Sequence, residues 1–209
     1  MTATEAATPP NQDRFLVLHL YRRTIVVVAD GAGGIGGGES AAQQLIDLIR
    51  VAVRTNPDAI HWGALLQYAD QLLTSHRHAG ETTCIIVECR TTMNQRLVVT
   101  GAAVGDSDAW LIADHEIDEL LPDRTKKPLL GTGSANIVMF GPRPLSGTLL
   151  VGTDGLFKYA KRGQIAKITR RNSPTSDPAQ GLVDIVRLPN RSLNDDISVV
   201  LVRPTHEHG

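Results

Sequence analysis

The sequence predicts an α+β fold built from antiparallel sheets with helices on the outside, and three observations carry that expectation. Its apolar segments are short and rich in β-branched residues, as in "TIVVVAD" and "ISVVLVR". Several are separated only by turn residues, the spacing of antiparallel neighbours. Two helical stretches, rather than one, stand between the early strands and the next ones, which breaks the strand–helix alternation of a parallel doubly wound sheet.

The elements follow in order. "MTATEAATPP" has no periodic pattern and reads as a flexible tail over 1–10. "RFLVLHL" and "RRTIVVVAD" are two β-rich runs broken at Tyr21 to Arg23, a hairpin. After a glycine-rich loop, Ala42, Leu45, Ile46, Ile49 and Val53 recur at three and four and predict one helical face between Glu39 and Arg54. Asp58 can cap a second helix with Trp62, Leu66, Ala69, Leu73 and His76 on one face, ending near Gly80. "TTCIIVEC", "QRLVVTGAAV" and "DAWLIAD" read as a three-stranded meander turning at Met93-Asn94 and Gly105-Asp106. The stretch from His115 to Ser146 is the least regular. "GTLLVGTD" is a buried strand, and "KRGQIAKITRR" is a helix. "SDPAQGLVDIVRLP" is a second one, with Ser176 or Asp177 as cap and Pro178 in its first turn; "ISVVLVR" closes the fold as a strand. One domain over 11–204 and a C-terminal tail over 205–209 are expected, since 209 residues suit a single core.

A net charge of -1 gives no global basic field for nucleic acid or an anionic membrane. Apolar runs fall far short of the ~20 residues of a membrane helix, and no basic-then-apolar leader is present, so a cytoplasmic setting is expected. Cys84 and Cys89, five apart in one strand, should be free thiols on opposite faces.

The loop "VADGAGGIGGGE" poses the chemical question. Gly31-x-Gly33-x-x-Gly36 matches a dinucleotide fingerprint, but two helices follow before any strand, and Asp47 and Asp58 lie in or at the cap of helices rather than at a strand end. A tight turn explains the glycines. It leaves Asp30 unexplained, because a carboxylate ending an apolar strand needs a cation or donors. Asp154 ends a second apolar strand, Asp195 and Asp196 begin a third, and Asp106 stands in a turn between two more. Any one reads as a turn residue. Together, without His or Cys, they suit Mg²⁺ or Mn²⁺ rather than zinc.

At these residues the chain resembles the metal-dependent protein phosphatases of the PPM (type 2C) family. The strings that carry the resemblance are "NQDRF" at 11–15, "VADGAGGIGGGE" at 28–39, "GETTCIIV" at 80–87, "GAAVGDSDAWLI" at 101–112, "LLVGTDGL" at 149–156 and "NDDISVVLV" at 194–202. The resemblance implies a four-layer α-β-β-α sandwich and a metal site at one end of it, holding two Mn²⁺ or Mg²⁺ ions and a weaker third. Carried over by motif, Asp30 bridges both ions, the Gly31 carbonyl binds one, Asp154 and Asp195 bind the other, Asp13 supports the site and Asp106 serves the third. Asp30, Asp154 and Asp195 are thereby the catalytic set. The implied reaction is hydrolysis of phosphoserine or phosphothreonine in a protein by a hydroxide bridging the two ions. Its partners are the phosphoprotein and a cognate kinase or regulatory protein. The alternative is a catalytically weak or inactive module of the same fold that regulates a partner by binding.

Some positions depart from the pattern. Thr8 stands where the family often has a phosphate-binding arginine, which leaves Arg14, Arg22 and Arg23 nearby, with Arg14 the candidate substrate contact. Gln12 replaces a Glu. Ala32 stands where some members carry a histidine that protonates the leaving group, which predicts slow turnover or a water donor. Asp108 and Asp196 replace an Arg and an Asn. The family's first strand has no counterpart in the N-terminal tail. His76-Arg77-His78 reads as a helix C-terminal cap. His206 and His208 read as solvated tail residues, Ser40 as no nucleophile, and the five basic residues of "KRGQIAKITRR" as a solvated face.

Overall fold

The computed structural model describes residues 1–32, 37–57, 60–75, 80–122, 125–171 and 177–204. Twelve strands and five helices are found among them, in this order: β1 (Thr2–Glu5), β2 (Arg14–Leu20), β3 (Arg23–Ala29), β4 (Gly31–Ala32), α1 (Gly37–Thr55), α2 (Trp62–Ser75), β5 (Glu81–Thr82), β6 (Cys84–Thr91), β7 (Leu97–Val104), β8 (Asp108–Ile112), β9 (Ile117–Glu119), β10 (Val138–Pro144), β11 (Thr148–Gly152), α3 (Asp154–Phe157), α4 (Arg162–Thr169), α5 (Pro178–Asp184) and β12 (Ile197–Val202).

Two five-stranded antiparallel sheets, β1-β12-β11-β8-β9 and β10-β7-β6-β3-β2, pack face to face, and β4 and β5 form a small third pair. The period of two along each strand explains the four layers. Ile25, Val27 and Ala29 of β3 and Cys84 and Ile86 of β6 pack on the buried stripes of α1 and α2. Their alternates Val26, Val28, Ile85 and Val87 meet Ala109, Leu111, Leu149, Val151 and Val200 of the other sheet. The outer face of that sheet, with Trp110, Ile112, Leu150, Ile197 and Leu201, is covered by Ile165 of α4 and Leu182 and Val183 of α5. Strands buried on both faces have to be apolar throughout, hence the unbroken runs in the sequence. Cys84 and Cys89 fall on opposite faces of β6 as free thiols; burial pushes Cys84 far up and Cys89 up to about 12.

Four expectations are corrected. Residues 2–5, expected in a loose tail, form edge strand β1, paired in register with β12 from Thr2↔Val200 to Glu5↔Ile197. Backbone hydrogen bonding to an open sheet edge needs no apolar pattern, which is why none is present in "TATE". The three-stranded meander is interrupted: β6 and β7 pair, but β8 crosses to the other sheet and pairs with β11 and β9. Gly105, at φ 90°, turns the chain out of the first sheet there. The irregular stretch 115–146 contains β9 and β10, and β10 pairs with β7 through a register shift between Phe140 and Arg143. The helix expected over 176–189 is shorter, Pro178–Asp184. Asp177 caps it, its carboxylate accepting from the Ala179 and Gln180 amides, and Pro178 sits in the first turn. The expected caps Asp58 and Ser176, together with His76-Arg77-His78, His206 and His208, lie outside the described residues. Among the described residues no helix is long and apolar enough to cross a membrane.

Candidate metal centre

Strand register brings the acids to one rim. In the β2–β3 hairpin Arg14 pairs with Ala29, so Asp13, just before β2, and Asp30, just after β3, lie side by side. In the second sheet Gly152 pairs with Val199, which sets Asp154, after β11, near Asp195, before β12. Cys84 pairs with Val104, so Asp106, after β7, reaches the same end. Asp30, Asp106, Asp154 and Asp195 line one cavity of about 960 Å³ with Ala32, Thr83 and Leu129.

The backbone around Asp30 is held closely. Its N–H donates to Thr83 Oγ1 at 3.0 Å, and its carbonyl accepts from the Thr83 amide at 2.8 Å and Thr82 Oγ1 at 2.9 Å. Thr83 and Ser107 share a hydrogen bond of 2.7 Å between their hydroxyls, which ties this strand end to the turn carrying Asp106. Two of the described glycines have a packing role. A Cβ on Gly31 would lie 2.4 Å from the Gly38 carbonyl group, and one on Gly155 would lie 2.0 Å from the Asp196 carbonyl oxygen. The chain therefore crosses itself at backbone distance on both sides of the cavity. Gly33 and Gly36 lie outside the described residues.

Asp13 is buried below this rim. Oδ2 accepts from Thr153 Oγ1 at 2.9 Å, while Oδ1 is buried with no hydrogen-bond partner. Burial, with the charge of Asp196 adding to it, pushes Asp13 up to about 7 against the Thr153 hydrogen bond. Asp30 is pushed up to about 9, first by burial and then by the charges of Asp13, Asp154, Asp195 and Asp106. Asp154 is raised by burial and by Asp106 and Asp195. These directions describe carboxylates that lack enough positive charge, the condition a cation relieves.

In kind, the residues fit a hard divalent ion: the acids on the rim are oxygen donors with no His or Cys among them, and a buried Asp13 oxygen lacks a donor. As the side chains stand, the described residues contain no group of three or more His, Cys, Asp or Glu gathered tightly enough to hold a metal ion.

The remaining candidates fall elsewhere. Arg14 does not line the cavity; its guanidinium donates to Gln43 Oε1, Glu39 Oε1 and the Asn11 and Asp13 carbonyls. Arg22 and Arg23 are at the opposite end of the hairpin, Arg22 donating to the Thr92 carbonyl and Arg23 to Glu88. Thr8 is exposed and lines no part of the cavity. Ser40 Oγ accepts from Gln44 within α1. Asp196 is a fastener, its oxygens accepting from the Ala7 and Gln12 amides at 2.8 and 2.6 Å, which fixes the segment leading to Asp13.

Sequence reasoning missed Thr153, whose hydroxyl also accepts from the Ser198 amide, although it sits inside the "GTDG" string. It missed Asp70 of α2 as well. That buried carboxylate accepts from the amides of Gly131, Gly133 and Ala135 at 2.8, 3.0 and 2.9 Å, and so holds the loop whose Leu129 and Gly131 wall the cavity. Lys126 and Lys127, on the same wall, had no local pattern to mark them.

No protein-family model and no curated protein matches the sequence. Solved structures do match. A single-site variant of a bacterial serine phosphatase superposes with a TM-score of 0.79 at 21% identity, covering 97% of this chain and 96% of that one. The PPM Ser-Thr phosphatase MsPP from Mycobacterium smegmatis, in complex with cacodylate, gives 0.76 at 20% identity over 98% and 97%. The catalytic domain of the serine threonine protein phosphatase PstP, in complex with two manganese ions, gives 0.71 at 17% over 96% and 95%. With its two face-packed antiparallel sheets between helix layers, the chain has the fold of the bacterial PPM serine/threonine phosphatases.

Proposed function

We propose that the protein is a metal-dependent phosphatase acting on phosphoserine and phosphothreonine in proteins. The observation that carries this reading is the set of four carboxylates brought from separate strand ends onto one cavity, with Asp30 in the field of all the others. Asp30, the Gly31 carbonyl, Asp154 and Asp195 would hold two Mn²⁺ or Mg²⁺ ions, and Asp106 a third, weaker one. When bound, such ions lower the pKa of a water and offset charge on a transferring phosphoryl group.

The chain's own residues do the rest. Thr82 and Thr83 fix the Asp30 backbone, so its carboxylate is presented without rearrangement. Thr153 orients Asp13 through Oδ2, while Oδ1 is buried with no hydrogen-bond partner. Ala32 lines the cavity and supplies no proton, so the leaving alkoxide takes its proton from solvent. A phosphoprotein and a kinase acting on the same hydroxyl are the implied partners.

Turnover of p-nitrophenyl phosphate and of a phosphothreonine peptide, with and without Mn²⁺, tests the reading. Wild type should turn over only with metal, and Asp30→Ala and Asp154→Ala should lose at least about 10² in rate. Ala32, and the absence of an arginine among the described residues lining the cavity, favour one second reading, a silent module of the same fold. Mn²⁺ binding without any turnover would select it.

A further inference from the structure

A cation beside the carboxylate rim can make charge-assisted hydrogen bonds to a phosphate. Among the described residues lining the cavity, the cations are Lys126 and Lys127. Lys126 Nζ lies 3.8 Å from Asp106 Oδ2, and the same residue also lines an adjoining cavity of about 240 Å³ that shares Asp106 and Asp154 with the first. Its ammonium therefore stands at the boundary of the two, beside Asp106.

The loop around Lys126 is held by hydrogen bonds, while the side chain reaches solvent. Thr125 is hydrogen-bonded by Asn136 Nδ2, the Asn136 amide donates to the Pro128 carbonyl at 3.1 Å, and Asp70 holds Gly131, Gly133 and Ala135. The Lys126 side chain itself is 72% exposed. A four-carbon stem on a fixed loop lets an ammonium leave a weak pair with Asp106 and meet an arriving dianion.

We propose that Lys126 holds the substrate phosphate in this protein, and that the same ammonium competes with a cation for Asp106. The inference rests on the phosphatase reading. It predicts effects of opposite sign on two ligands, which a structural role does not.

The test uses the full chain as wild type, Lys126→Ala, Lys126→Arg and the surface control Lys167→Ala. Calorimetry measures Mn²⁺ binding, and inorganic phosphate binding to the Mn²⁺-loaded protein; kinetics with p-nitrophenyl phosphate accompany it. Lys126→Ala should weaken phosphate and raise KM about tenfold, the loss of one charge-assisted hydrogen bond, with a smaller effect on kcat. Its Mn²⁺ affinity should rise. Lys126→Arg should retain most of the phosphate affinity, and Lys167→Ala should match wild type. Unchanged phosphate affinity in Lys126→Ala, or a parallel loss of phosphate and Mn²⁺, overturns the inference. Turnover that ignores Lys126 defeats the inference alone. Lys126-dependent phosphate binding without turnover defeats the phosphatase reading alone.

Discussion

Thr153 Oγ1 donates to Asp13 Oδ2 at 2.9 Å across 140 residues of sequence, and accepts from the Ser198 amide at 3.0 Å. One hydroxyl thus joins Asp13, just before β2 of one sheet, to core strand β12 of the other. Thr153→Val orphans a buried carboxylate oxygen and a buried amide together. A loss of about 2–4 kcal/mol is expected in urea denaturation at pH 7. Thr153→Ser keeps the hydroxyl and should lose only about 1 kcal/mol. Equal losses in the two variants would show that the methyl, rather than the hydrogen bonds, matters.

Asp70 places a helix in control of a cavity wall. Asp70→Ala removes the acceptor of three amides at once, so about 3 kcal/mol or more should be lost. Amide exchange localises the effect: Gly131, Gly133 and Ala135 should exchange far faster, while β6 amides such as Val87 should follow only the global change. KM should rise, because Leu129 and Gly131 line the cavity.

At the far end of the sandwich, Glu88 accepts from Arg23 and from Trp62 Nε1 at Oε2, and from Arg90 at Oε1. Burial pushes Glu88 up, but the hydrogen bonds from Arg23 and Arg90 outweigh it and hold the carboxyl below its usual range. A depressed folded pKa stabilises above the unfolded value and is lost as pH falls through the folded one. Glu88→Gln leaves Arg23 buried beside a neutral partner and should cost about 3–5 kcal/mol at pH 7, and the variant should lose less stability than wild type below pH 4. Trp62→Phe removes one neutral donor and should cost roughly 1 kcal/mol beyond its packing loss.

What the sequence made legible follows from burial. Strands β3, β11 and β12 are covered on both faces, so their apolar runs stand out, and the acids at their ends mark the rim. Strand β10 carries Pro142 and Pro144 and is mostly exposed on a sheet edge, where proline is tolerated, so it looked irregular. The crossing of β8 was hidden because Gly105-Asp106 has the composition of a hairpin turn, and composition does not say which sheet the next strand joins. Thr153, Asp70 and Lys126 act on partners far away in sequence or through a loop, and no local pattern encodes that.

Asp30 gives the sharpest sign. A carboxyl raised to about 9 in the folded protein, and Asp13 raised to about 7, mean that the folded state holds more protons than the unfolded chain between pH 4 and those values. Stability without metal should therefore fall as pH rises from about 4, more gently above 7, and level off above 9. Asp30→Asn keeps the shape and removes the charge. Without metal it should be more stable than wild type by at least about 1.4 kcal/mol at pH 9, with a flatter pH profile. Mn²⁺ should raise the wild-type melting temperature at pH 8 and leave Asp30→Asn almost unmoved, since the ion stabilises only the state that binds it. A metal-free Asp30→Asn protein less stable than wild type at pH 9 would mean that the carboxylates do not repel one another in the folded state.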